Sequence, residues 1–146
     1  MEIKEKLGDQ SGIAGTLHNI ANLHYETGEY EQALEKYQRS MEIEEKLGDQ
    51  RGIAIILHQI ANVHYVKGEY QQALEKYQRS MEIKEKLGDQ SGIANTAAQM
   101  SLLYSKIGKK EKAIEYTQKA LGIFENIGLD NEAMRARAQL KTILES

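Results

Sequence analysis

The sequence predicts an all-α chain, an α-solenoid built from antiparallel helix hairpins, and three observations carry that reading. First, MEIKEKLGDQ at Met1 returns as MEIEEKLGDQ at Met41 and as MEIKEKLGDQ at Met81, and residues 1–40 differ from residues 41–80 at nine positions. A period of roughly 20–50 residues is the mark of stacked repeats, which offer a long surface instead of a closed catalytic pocket. Second, glycine recurs at Gly8, Gly48, Gly88 and Gly128 and, offset by 20 residues, at Gly28, Gly68 and Gly108. Glycine just past a helical stretch fits the left-handed residue that ends helices. Third, proline is absent and no segment alternates with the period of a strand.

Each element follows from the same spacing. Residues 2–7 match only the tail of a second helix and form a helical stub; Asp9 then serves as N-cap for a helix from Gln10 to Thr27. Ile13, Leu17, Ile20, Ala21 and His24 fall at intervals of three and four on that helix and mark its core face. Its partner runs from Tyr30 to Leu47, with Ala33, Leu34, Tyr37, Met41 and Leu47 on the apolar side. Copies follow at Gln50–Lys67 with Tyr70–Leu87 and at Gln90–Ile107 with Lys110–Ile127, and a last helix covers Asn131–Glu145. The expected organisation is one domain over residues 1–146, with repeats at 9–48, 49–88 and 89–128 and a C-terminal cap at 130–146. The third copy keeps only 17 of 40 identities with the second, nearly all of the loss falling after Ala94, as end repeats of solenoids tend to drift.

Composition excludes several classes. With 22 acidic and 19 basic side chains interspersed along the chain, the net charge of −3 gives no footprint for a nucleic-acid backbone. No window approaches a membrane span, no signal peptide follows Met1, and the absence of cysteine rules out disulfides and thiolate chemistry. A cytoplasmic location is the corresponding expectation. Runs such as EKYQRS and EIKEKLGDQ, with pairs like Glu35/Arg39 and Glu2/Lys6 at helical spacing, read as a solvated outer face.

Asn19–Ile43, NIANLHYETGEYEQALEKYQRSMEI, resembles the tetratricopeptide repeat, a helix–turn–helix unit of about 34 residues. Leu17, Ile20, Ala21, His24, Tyr25, Gly28, Tyr30, Ala33, Tyr37 and Ser40 occupy that family's alternation of large and small residues, and the same set returns 40 residues on. In the third copy Met100, Ser101, Tyr104, Gly108, Ala113 and Ala120 keep the framework. The repeat is six residues longer than usual, similar to the subgroup of Pins-type G-protein-signalling modulators and kinesin light chains, and Glu45 and Glu85 stand where the family has proline. The resemblance implies a right-handed superhelix of three full repeats between stub and cap. Small Ala21, Ala61 and Ser101 would meet Ala33, Ala73 and Ala113 where the helices of each hairpin approach most closely, whereas Lys141 at the matching place of the last helix marks it as a cap.

The resemblance further implies a non-enzymatic protein–protein interaction scaffold whose first helices line a concave groove for a peptide segment of a partner protein. The positions carried over are Gly15, His18, Asn22, Tyr25 and Glu26, then Ile55, His58, Asn62, Tyr65 and Val66, then Asn95, Ala98, Leu102, Ser105 and Lys106. Asn22 and Asn62 each offer a donor and an acceptor, enough to clamp one peptide unit of a ligand backbone. Glu26 is balanced by Lys106, so a ligand of mixed polar and apolar character is expected. His18 and His24, like His58 and His64, are six residues apart and turned by about 240°, too divergent to chelate one ion. No metal, cofactor, nucleic acid or membrane is expected. His24 and His64 are expected as packed aromatics and Tyr30, Tyr37, Tyr70 and Tyr77 as framework, with a mild pH dependence from His18 and His58. Two alternatives stand beside this reading: a repeat array that pairs with its own copies through open ends, end to end or by swapping, and a designed or excised array with no ligand.

Overall fold

A computed structural model describes residues 2–146, with side chains from Gly8 onward. The described residues form seven helices and no strand: α1 (Glu2–Glu26), α2 (Tyr30–Leu47), α3 (Gln50–Val66), α4 (Tyr70–Leu87), α5 (Gln90–Lys106), α6 (Lys110–Asn126) and α7 (Asp130–Glu145). None of them is long and apolar enough to cross a membrane. The architecture is that of a helical-repeat solenoid, and the chain divides into two compact units, Met1–Ser80 and Met81–Ser146, the division falling within α4.

The turns form where the glycine spacing places them. At the end of α2, Gly48 adopts φ 71°, its N–H donates to the carbonyl of Glu45 and that of Asp49 to the carbonyl of Glu44, which satisfies the last carbonyls of the helix. Asp49 then opens α3, its Oδ1 accepting from the N–H of Gly52 at 3.0 Å. The same Lys-Leu-Gly-Asp-Gln run behaves differently at its first occurrence. The turn expected at Gly8 and Asp9 does not form, and α1 is one continuous helix across both residues. Gly and Asp inside a helix together cost only about 1–2 kcal/mol. At residues 46–50 and 86–90 the chain reverses instead, and the bodies of α2 and α4 bury Ala33, Tyr37, Ala73 and Tyr77.

In the first unit the core is built from Ala21, Ala33, Leu57, Ala61, Ala73 and the fully buried rings of Tyr37 and Tyr77. The small residues expected at the hairpin contacts are there, and Ala14 and Ala54, whose carbonyls accept from Ser40 Oγ at 2.8 Å and Ser80 Oγ at 2.7 Å, lie beside them. In the second unit Ser101 and Ala113 take the corresponding places. Ser101 Oγ meets Thr117 Oγ1 and donates to the carbonyl of Ala113 at 2.9 Å, while Gln139 Nε2 donates to Ser101 Oγ at 3.0 Å and ties α7 to α5. Lys141 is exposed, and the Lys110 ammonium bonds the carbonyl of Ser146 at 3.0 Å, placing a cation at the C-terminal end of α7.

Three further expectations need correction. Ile13 and Ile20, placed on the core face of the first helix, are exposed. Their side of α1 is the side that α2 covers on α3, and among the described residues nothing covers it on α1. His24 and His64 are not simply packed: each Nδ1 lies against a turn carboxylate, Glu29 at 3.3 Å and Glu69 at 2.9 Å. Finally, the charged tails of the second helices are not uniformly solvated, because Glu44 and Lys84 are buried. The Glu2/Lys6 pair lies outside the described side chains, and Glu35 pairs with Lys36 at 3.7 Å.

Candidate peptide-binding surface

The stripe expected on the first helices contains polar groups held in place by the second helices. On α1, Asn22 Oδ1 accepts from the hydroxyl of Tyr37, and on α3, Asn62 Oδ1 accepts from Tyr77. Asn62 Nδ2 donates to Gln59 Oε1 at 3.3 Å, along the same helix. The acceptor of each asparagine is thus engaged within the fold, leaving the amide N–H groups as its means of holding a ligand. His18 and His58 stand edge-on to the same two tyrosines, with ring centroids 5.7 and 5.3 Å apart. Burial lowers the pKa of His18, so near neutral pH it acts as an uncharged ring. Burial, then the charges of Tyr25 and Glu26, push the Tyr37 hydroxyl up to about 12 and keep it a donor.

The remaining positions of the first unit complete a mixed surface. Tyr25 and Tyr65 are half-buried and lean on Tyr30 and Tyr70, with centroids 6.0 and 5.7 Å apart. Glu26, Ile55 and Val66 are exposed. In the second unit Asn95, Leu102 and Lys106 are exposed on α5, as is Ser105, while Ala98 is half-buried. There the asparagine and its tyrosine are replaced together: Leu102 stands for Asn62 and Thr117 for Tyr77. That joint replacement is the signal in the sequence that could have revealed Tyr37 and Tyr77 as partners of the asparagines.

Two clefts open in the first unit. One of about 280 Å³ lies among α1, α2 and α3, bordered by Gly15, His18, Asn19, Glu44, Gly52 and Ile55. A larger one of about 570 Å³ lies among α2, α3 and α4, bordered by Glu31, Glu35, Gln38, His64, Gln72 and Glu75. Glu44 was missed in the sequence because it sits within a run of charges; its exchange for Lys84 one repeat later was the available hint.

The profile of the tetratricopeptide repeat family matches residues 12–86 and, one repeat on, residues 52–126. The chain belongs to the tetratricopeptide repeat family. Members of this family are in general non-enzymatic modules of protein–protein interaction. No curated protein matches the sequence. Among solved structures, the chain is similar to aspartyl phosphate phosphatase F from Bacillus subtilis, with a TM-score of 0.88 at 15% identity over 92% of this chain and 35% of that one. It is also similar to a Signal Transduction ATPase with Numerous Domains protein with a tetratricopeptide repeat sensor from Pyrococcus horikoshii, with a TM-score of 0.85 at 22% identity over 97% and 22% of the two chains. BtubC from P. vanneervenii follows the fold at a TM-score of 0.69 and 16% identity, over 90% and 63%. The chain therefore spans less than two thirds of the length of each, and the likeness is one of fold.

Proposed function

We propose that this tetratricopeptide repeat chain is a scaffold that binds a peptide segment of a partner protein along the first helices of its repeats, in a groove of the kind the family's superhelix forms. The observation that carries this reading is the recurrence, in two successive repeats, of an asparagine fixed by a buried tyrosine and flanked by a half-buried histidine and tyrosine. A prepositioned amide costs little ordering on binding, and half-buried aromatic rings make good anchors for a peptide. The candidate contacts are His18, Asn22, Tyr25, Glu26, Ile55, His58, Asn62, Tyr65 and Val66 in the first unit and Asn95, Leu102 and Lys106 on α5 in the second. The 40-residue period and the helices of 17–18 residues from α2 to α6 support the lengthened subgroup that includes Pins-type modulators and kinesin light chains. A cytoplasmic setting goes with this proposal. Selection from a random peptide display library on the wild type and on an Asn22→Ala/Asn62→Ala variant tests it. Peptides recovered on the wild type should bind the variant about tenfold more weakly, and peptides that bind both equally would exclude the asparagine clamp.

A second reading is favoured by one observation, the exposed Ile13, Ile20 and Leu23 on α1. The same face of α3 is buried in the fold, so a second copy of the chain is a fitting occupant. Light scattering across concentration tests it: association that Leu23→Glu abolishes supports the reading, and a monomer throughout removes it.

A further inference from the structure

The smaller cleft of the first unit has an unusual floor. Glu44, on the last turns of α2, is 9% exposed, and in the ionised form its Oε2 is shut off from solvent with no donor among the described residues, while the protonated carboxyl hydrogen-bonds to its neighbour Asp49. A buried carboxylate oxygen without a donor is costly and stands in a fold where a partner completes it. Directly beside it, the backbone of Gly52 opens α3. A Cβ at residue 52 would lie 2.7 Å from Glu44 Oε2 and 3.0 Å from Asp49 Oδ2, so the missing side chain is what lets two carboxylates converge at this spot. Among the described residues bordering the cleft, Glu44 carries the charge, and its neighbour Asp49 shares the sign. The site lacks a cation.

The opening of the cleft leads to the peptide stripe. Gly15, His18 and Ile55, three of the positions carried over from the family, border it together with Asn19. Gly15 leaves the mouth open, and Ile55 with His18 supplies apolar and aromatic walls. That is the environment a guanidinium tolerates better than an ammonium, being planar, weakly hydrated and able to stack on a ring. The next repeat has the opposite chemistry in the same register: Lys84 replaces Glu44 and donates to Thr96 Oγ1 at 2.8 Å, with Thr96 in place of Ile56. The repeat framework thus carries opposite charges at this position in its two copies.

We propose that Glu44 and the cleft above it form a socket for the guanidinium of an arginine carried by the bound peptide. The proposal deepens the groove reading, on which it rests for the source of the arginine but not for the chemistry of the socket. The test is a titration of the full ¹⁵N-labelled chain at pH 8 with N-acetyl-arginine methylamide and, separately, with its neutral isostere N-acetyl-citrulline methylamide. Saturable shifts at the amides of Gly15, His18, Gly52 and Ile55 are expected for the arginine compound. Affinity should be about tenfold lower or worse for citrulline, for Glu44→Gln, and for Gly52→Ala, whose new methyl displaces the carboxylate. Equal shifts with both compounds, or shifts that survive Glu44→Gln, overturn the socket. The two readings fail separately. A chain that selects no peptide yet binds the arginine compound through Glu44 leaves the socket standing without the groove. Peptides that depend on Asn22 and Asn62, with no Glu44-dependent arginine binding, leave the groove without the socket.

Discussion

Helices α1 and α3 carry nearly the same sequence and live in different surroundings. Ile53, Ile60 and Val63 are 6%, 3% and 0% exposed, whereas their counterparts Ile13, Ile20 and Leu23 are 45%, 36% and 62% exposed. On the opposite face the two helices agree, since Ala21 and Ala61 are both fully buried against their own second helices. The half of the pattern that packs within a hairpin is thus self-contained. The half that packs against a preceding repeat acquires its burial only where such a neighbour exists.

Substitutions at matched positions turn this contrast into numbers. The largest difference is expected between Ile60→Ala and Ile20→Ala. In urea unfolding the first should cost about 2–4 kcal/mol, as a cavity in a packed core does, and the second less than about 1 kcal/mol. Equal losses would mean that α1 is covered in solution.

Glu44 comes next. Burial, followed by the hydrogen bond and charge of Asp49, pushes its carboxyl up to about 7. A carboxyl raised above its unfolded value holds its proton longer when folded. Stability should therefore fall as pH rises from about 4.5 to about 7, by roughly 2 kcal/mol, and Glu44→Gln should flatten that slope. Unfolding midpoints of both proteins at pH 5 and pH 8 check this.

The repeated glycines sharpen the comparison through opposite signs. Gly48 sits at φ 71°, so Gly48→Ala should destabilise by about 1 kcal/mol or more, while Gly8, inside a helix, should gain up to about 1 kcal/mol as alanine. Thermal unfolding of the two variants decides it. An effect of similar size is expected for Tyr77→Phe, which removes the donor to Asn62 and should cost about 1 kcal/mol. Tyr116→Phe serves as the control, because that ring stacks on Tyr104 in the third repeat, where Leu102 stands in place of Asn62.

Most of the fold was legible because it rests on local rules. Gly28 and Gly48 end helices by their own conformational freedom, Asp49 caps α3 with its own side chain, and Ala21 and Ala33 are small where helices touch. What the sequence hid is what neighbours decide. Lys-Leu-Gly-Asp-Gln is a turn at residues 46–50 and 86–90 but helix at residues 6–10, and Ile20 is surface where Ile60 is core. For the proposed peptide stripe, the sequence offered candidate positions but not the bonds that hold their side chains. The bond from Tyr37 to Asn22 spans fifteen residues and two helices, and Glu44 is indistinguishable in a charged run from the exposed Glu42 and Glu45.

The central claim is that partners bind along the first-helix stripe. It is tested most directly by chemical-shift mapping of a library-selected peptide on the labelled chain. The expected result is that perturbations concentrate at Asn22, Tyr25, Ile55, Asn62 and Tyr65. Perturbations confined to Glu31, Glu35, Gln72 and Glu75, around the cleft among α2, α3 and α4, would contradict it.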